Sequence, residues 1–212
     1  MVLDLSYQTV LKRNESEYVE KRSRFIATLC HCETEEEANA FVKEMKAKYW
    51  DARHNCYAYS VEGGRMCRFS DDGEPHGTAG KPMLDCIQGS GITNIAVVVT
   101  RYFGGILLGT GGLVRAYSKS TQDVLSTAEV YLMLPGTVCE ILCEYSDLTL
   151  VQKLIENCDG EIQNTEYTDK ITISFILKDE FCDDFKEKLR ETFSARLKME
   201  EKEKILLPFL KK

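Results

Sequence analysis

No apolar run in this 212-residue chain approaches the ~20 residues that a membrane-spanning helix needs. The opening MVLDLSYQTV lacks the basic start, long apolar centre and cleavage site of an export signal. A cytoplasmic protein with no membrane partner is expected. A basic excess is missing as well: 27 Lys and Arg face 34 Asp and Glu, for a formal net charge of -7. Any nucleic-acid surface must therefore be a local patch. Paired C-x2-C knuckles are absent. Cys30-His31-Cys32, His54-x-Cys56 and Cys139-x3-Cys143 offer ligand types without the spacing that pins a tetrahedral metal. The nine cysteines read instead as reduced thiols packed as small hydrophobes. Nucleophile-elbow, H-E-x-x-H and kinase signatures are also missing, so no catalytic residue, metal ligand or cofactor is assigned.

What is present is an ordinary globular composition, 43% hydrophobic and 29% charged, long enough for two domains. The pattern breaks at Leu134-Pro135-Gly136, dividing the chain into residues 1–135 and 136–212. The first part carries a net charge of -2 and the second -5, so the first is the better candidate for an anionic partner. In the second, strands over 137–145, 161–167, 172–177 and 203–207 alternate with helices over 148–157 and 181–193. That is the βαββαβ order of the ferredoxin-like class. In the first, segments 7–11 and 18–21 around a KRNESE turn read as a hairpin, and 24–30 as a further strand. A helix capped by Thr34 runs to about residue 50, and 54–61 and 65–69 form a second hairpin.

The first domain centres on residues 94–117, NIAVVVTRYFGGILLGTGGLVRAY. Ile95, Val97 and Val99, with Ala96 and Val98 between them, predict a strand buried on both faces. Arg101, Tyr102 and Phe103 stand at its end, followed by Gly104, Gly105, Gly109, Gly111 and Gly112. Apolar residues then recur at helical spacing from Leu113, past Arg115 and Lys119, so helix amides face the glycine turn, where a dipole favours an anion. Gly104 and Gly109 have the Walker spacing, but Thr110 and Gly111 replace the lysine and the magnesium ligand. Val114 occupies the third glycine position of a dinucleotide turn, and no acidic residue follows at the required distance. The remaining readings are a bare strand-to-helix corner or a site for an anion or an RNA backbone.

A second polar stretch, SDDGEPHGTAGKPMLD over 70–85, is too rich in Gly and Pro for regular structure until about Lys81, where Pro82 suits the first turn of a short helix. Asp71, Asp72, Glu74 and His76 could hold a hard cation or serve as an acid/base pair. They are also simply good turn chemistry, available to pair with Arg68 or Arg101, and the structural or binding-loop reading is preferred over catalysis.

Four stretches, KRSRF at 21–25, DARHNCYAY at 51–59, SDDGEPHGTAGKPML at 70–84 and RYFGGILLGTGGLVRAY at 101–117, together resemble the Impact family of proteins linked to translation. The resemblance covers essentially the whole chain. It implies an α+β protein whose first domain is like the second domain of ribosomal protein S-five, a sheet with helices packed on one side. It implies a ferredoxin-like second domain similar to the last domain of elongation factor G, and a role near the ribosome or its RNA. Eukaryotic relatives add an RWD domain in front and with it compete for the activator of a starvation-response kinase. That domain is not expected in this chain, so that partner is not carried over, and the family supplies no catalytic residue.

Two functions of different class follow. One is a non-enzymatic regulator of translation that binds the ribosome, RNA or a translation factor. Its surface would comprise Arg53, His54, Asp71, Asp72, Glu74, His76, Thr78, Arg101, Tyr102, Phe103, the five glycines of the turn, Arg115 and Lys119, on the expectation that the 70–84 loop and the glycine turn complete one concave site. The other is a metal-assisted phosphoryl transferase or hydrolase using Asp71, Asp72 and Glu74 with the glycine turn. A protein-partner or homodimer surface is a third use of the same face, and the oligomeric state is open.

Overall fold

The structure, a computed structural model, describes residues 6–210. The first five residues, part of the stretch read for an export signal, and the last two lie outside that description. The chain divides into two compact units, essentially Tyr7–Leu132 and Met133–Phe209.

The first unit contains β1 (Tyr7–Val10), β2 (Asn14–Glu20), β3 (Ser23–His31), α1 (Glu35–Lys48), β4 (His54–Val61), β5 (Met66–Ser70), α2 (Gly80–Ser90), β6 (Ile95–Tyr102) and α3 (Gly109–Ser126). Its sheet has the order β2-β3-β6-β4-β5, with the paired neighbours antiparallel, so β6 lies at the centre. The strand's period of two explains its unbroken apolar run. Ile95, Val97 and Val99 join the core formed with Met83 and Ile87 of α2 and Leu113 and Tyr117 of α3. Ala96 and Val98 join Phe41, Val42 and Met45 of α1. Helices therefore cover both faces, which corrects the one-sided arrangement implied by the family resemblance. The cause is visible in α1: Ala38, Phe41, Val42 and Met45 form a buried stripe, and each fully buried large side chain contributes about 1.5–3 kcal/mol. Thr34 caps this helix by accepting the Glu37 amide at 3.2 Å.

The KRNESE segment is not a turn. Asn14 begins β2, where its side-chain amide donates to the Val124 carbonyl and to Thr127, both at 2.9 Å. NESEYVE then alternates half-buried and exposed residues as a strand should. The hairpin turn falls instead on Lys21 and Arg22, joining β2 to β3.

β7 (Val130–Cys143) runs through Pro135 and Gly136 rather than starting after them. The second unit continues with α4 (Leu148–Asn157), β8 (Glu161–Tyr167), β9 (Ile171–Lys178), α5 (Asp179–Thr192) and β10 (Met199–Leu210). Within it the strands are ordered β10-β7-β9-β8, and with the βαββαβ succession this is the ferredoxin-like arrangement. Ile141, Ile173 and Phe175 of the sheet meet Val151 and Ile155 of α4 and Phe185 and Leu189 of α5 in a separate core. Among the described residues, no helix is long and apolar enough to cross a membrane.

Candidate nucleic-acid interface

The loop between β5 and α2 folds around its own carboxylates. Asp71 accepts the backbone N–H groups of Gly77, Ala79 and Gly80 at 2.8, 3.1 and 2.9 Å. It thereby supplies the cap that α2 lacks from its own N-cap residue, Ala79. Burial works against the charge on Asp71, but these amides, helped by His76, hold its carboxyl below the usual carboxylate range. Gly80 is required here, because a Cβ would sit 2.8 Å from the Ser70 backbone. Asp72 accepts the Asn55 amide at 2.7 Å and pairs with Lys46 at 2.5 Å. Glu74 points inward: its side chain is 3% exposed and its Oε1 accepts from Arg101 Nη1 at 2.6 Å and from the Tyr117 hydroxyl at 2.8 Å. Burial pushes the Tyr117 phenol up, so it remains a donor. The Thr78 hydroxyl donates to the Pro75 carbonyl at 2.6 Å.

Arg101 is correspondingly internal, its side chain 8% exposed, with its guanidinium 5.4 Å from the Phe25 ring and 5.7 Å from the Phe103 ring. Its Nε is buried without a hydrogen-bond partner. Arg101 therefore fixes the loop to the end of β6 and does not offer its charge to solvent. This corrects the expectation that Arg101, Asp71, Asp72, Glu74 and Thr78 present their side chains to a ligand. The three carboxylates also fail to converge as the phosphoryl-transfer reading requires, since each is committed to different protein donors. Among the described residues, no group of His, Cys, Asp and Glu is arranged to hold a metal ion.

The glycine turn is built the opposite way. Gly104 lies against the turn before β3: a Cβ there would come within 2.1 Å of the Arg22 carbonyl carbon, and its amide donates to the Ser23 hydroxyl at 3.1 Å. The chain then presents Phe103, 47% exposed, and Leu107, 83% exposed, before α3 begins at Gly109 without a side-chain cap. Gly105, Gly109 and Gly111 are exposed, while Gly112 is half-buried against Leu108. Arg115 projects from the first turns of α3 beside Gly111 and forms no ion pair among the described residues. Lys119, one turn on, is exposed and paired with Asp123 at 2.6 Å. Tyr102 is half-buried, its hydroxyl donating to Asp51 at 2.8 Å.

Loop and turn do meet. Arg53, His54, Glu74, Arg101, Phe103 and Leu107 line a recess of about 310 Å³. His54 donates its Nδ1 proton to the Asp72 carbonyl at 2.9 Å, which leaves Nε2 as the ring atom available to a ligand. His76 is exposed on the outer side of the loop, 3.7 Å from Asp71. On the other flank of the turn, Tyr18, Lys21, Leu108, Gly112, Arg115 and Lys119 line a second recess of about 210 Å³. A larger hollow of about 670 Å³ between α2 and α3 contains none of the predicted residues.

Lys21 and Arg22 are missing from the predicted surface. They form the two-residue hairpin turn with φ of 46° and 68°, a conformation ordinarily assigned to Asn-Gly or Gly-Gly. The signal lay in KRSRF itself, where two cations occupy a turn that would be less strained with glycine. The distribution of ion pairs adds to this. Lys12, Arg13, Arg24, Lys46, Lys48, Arg68, Lys81, Arg101 and Lys119 are each paired with a carboxylate. Among the described residues of the first unit, Lys21, Arg22, Arg53 and Arg115 form no ion pair, and all four flank the glycine turn. Lys43 and Arg65 also lack one, but they belong to α1 and to the connection between β4 and β5.

A layered α+β unit with a self-capped acidic loop beside a glycine-rich turn, followed by a ferredoxin-like unit, defines a two-domain class. Residues 21–125 match the Impact N-terminal domain, and residues 141–196 match a domain of unknown function, DUF1949. The chain belongs to the IMPACT family. It is 47% identical over 150 residues to the IMPACT family member YigZ of Escherichia coli strain K12, covering 69% of this chain and 74% of that protein. An IMPACT family member of Haemophilus influenzae is 43% identical, with 84% of this chain and 87% of the relative covered. YvyE of Bacillus subtilis is 34% identical, with 93% and 92% covered. A crystal structure of a hypothetical protein shares 38% identity and a TM-score of 0.61, covering 93% of this chain and 98% of its own.

Proposed function

We propose that this protein is a non-enzymatic, translation-associated module whose first unit holds single-stranded RNA across the glycine turn. The observation that supports this reading is that Lys21, Arg22, Arg53 and Arg115, which have no ion pair among the described residues, flank the glycine turn and its exposed Phe103 in a protein that is acidic as a whole. The cations can neutralise phosphates, Phe103 can stack on a base, and the glycines let an RNA backbone approach the start of α3. Glu74 is buried against Arg101, Asp72 is paired with Lys46 and Asp71 is engaged by three backbone amides, which lessens the repulsion such a ligand would meet.

The reading is tested by fluorescence anisotropy with short single-stranded RNAs at several salt concentrations, alongside sedimentation on ribosome profiles. Wild type should bind with a steep salt dependence. Arg53→Gln combined with Arg115→Gln should weaken binding and lower the logarithmic salt slope by roughly 0.7 for each phosphate that is no longer neutralised. Stability should stay within about 0.5 kcal/mol. Absence of RNA binding at low salt refutes the proposal, and ribosome association surviving that result would assign the face to a protein surface.

A further inference from the structure

Away from that face, the end of β3 carries two cysteines in a distinctive setting. Cys30 and Cys32 are two positions apart, so their side chains leave the same side of the strand, toward the core shared with Phe41, Val42 and Met45 of α1. Cys32 is buried, while Cys30 is half-buried. The Arg13 guanidinium lies 3.9 Å from the Cys30 sulfur. It is held there by two hydrogen bonds to Glu44, at 2.6 and 2.9 Å, and by the Phe41 ring, 5.2 Å away. A cation fixed beside one thiol and a buried second thiol alongside are the parts of an attacking and a resolving cysteine.

We propose that Cys30 and Cys32 form a peroxide-responsive dithiol, with Cys30 as the attacking sulfur and Cys32 as the resolving one. The Cys30 thiolate attacks one oxygen of hydrogen peroxide. The O–O bond breaks, and the departing hydroxide takes up a proton as water, leaving a sulfenic acid on Cys30. The Cys32 sulfur then attacks Cys30, the S–O bond breaks, and a second water leaves with the Cys32 proton. Both thiols are oxidised to one disulfide and the peroxide is reduced to water. A thiol reductant reverses the change.

The setting favours this order of events. The Cys32 thiol, followed by the Arg13 guanidinium, holds the Cys30 thiol down at about 6 despite its partial burial. Glu44 opposes this weakly, while the hydrogen bond to the Cys30 sulfur, and then burial, push the Cys32 thiol up. By contrast, burial pushes Cys56, Cys86, Cys139, Cys143, Cys158 and Cys182 up. Residues two apart on a strand stand ~6.6 Å apart, near the upper limit for a disulfide. Cys32 lies just past the end of β3, where its backbone N–H donates a hydrogen bond to the Asn94 carbonyl at 3.0 Å, so the required inward shift falls at the strand terminus.

The test uses the full reduced chain. Trypsin cleavage after Arg24 and Lys43 yields one peptide, 25–43, that contains both cysteines and no other. After stoichiometric peroxide, that peptide should resist alkylation, appear as the internal disulfide, and regain both alkylation sites with dithiothreitol. Cys32→Ser should leave a Cys30 sulfenic acid that dimedone captures, and Cys30→Ser should abolish protection. At neutral pH, Cys30 should alkylate roughly tenfold faster than an ordinary thiol, with the half-buried Cys67 and Cys86 as internal controls. Arg13→Gln, confirmed folded by circular dichroism, should reduce that advantage several-fold. The proposal is overturned if Cys30 reacts no faster than Cys67 and Cys86, or if peroxide produces Cys30 sulfinic acid without the linkage to Cys32.

Discussion

The acidic loop and the glycine turn adjoin one another, yet they solve opposite problems. In the loop, the Asp71, Asp72 and Glu74 carboxylates accept from backbone amides, Lys46, Arg101 and Tyr117. In the turn, Phe103 and Leu107 are exposed, and the neighbouring Lys21, Arg22, Arg53 and Arg115 have no carboxylate partner among the described residues. The loop therefore commits its carboxylates to holding the fold, and the turn stands as a surface despite its apolar residues. Charge in a sequence marks chemistry only when geometry leaves that charge unspent.

Substitutions can break this contrast. The largest effect is expected from Glu74→Ala, which leaves the Arg101 guanidinium buried without a counter-charge. A destabilisation of about 3–5 kcal/mol should appear as a lower urea midpoint. Unchanged stability would place the loop with the surface.

Asp71→Asn should remove about 2–3 kcal/mol, because a carboxamide cannot accept all three amides and its NH2 faces donors. The pH dependence follows from the depressed folded-state carboxyl. Its contribution is present above the unfolded carboxyl value of ~3.9 and is lost as pH falls through the lower folded value. The difference between wild type and Asp71→Asn should thus narrow on acidification, as followed by thermal unfolding at stepped pH.

Gly104→Ala should cost about 1–3 kcal/mol, since the added carbon collides with the Arg22 backbone rather than with a flexible side-chain end. The smallest change should have the opposite sign. Replacing the turn by Lys21→Asn with Arg22→Gly relieves two positive-φ residues and should stabilise the protein by about 0.5–1 kcal/mol while weakening RNA binding. A stabilised variant with undiminished binding would remove these cations from the proposed interface.

Periodicity made much of the fold legible. The alternation at Ile95, Val97 and Val99, the stripe at Phe41, Val42 and Met45 and the βαββαβ order beyond Pro135 are local patterns of burial, and the structure contains each of them. Boundaries were less legible. Gly109 begins α3 although glycine is a poor helix former, because the turn needs its positive φ of 69°. Asn14 resembles a turn residue in isolation, but bonds from α3 and the residue after it hold it in a strand. The candidate surface was half legible: Arg53, Phe103 and Arg115 could be named, whereas Lys21 and Arg22 were hidden in a turn that propensity assigns to other residues.

The sequence by itself determined which segments are apolar on which period, where glycine permits a tight turn, and that any anionic partner must meet a local patch. Those properties follow from side-chain type and spacing along one chain. Only the tertiary structure decided that Asp71 caps α2, that Glu74 and Arg101 neutralise each other inside, and that Gly104 admits the backbone of Arg22. An ionised side chain has the same composition whether it faces water, an amide or a counter-ion. Which one it meets depends on groups many residues away, and that placement separates a charge spent on folding from one left for binding.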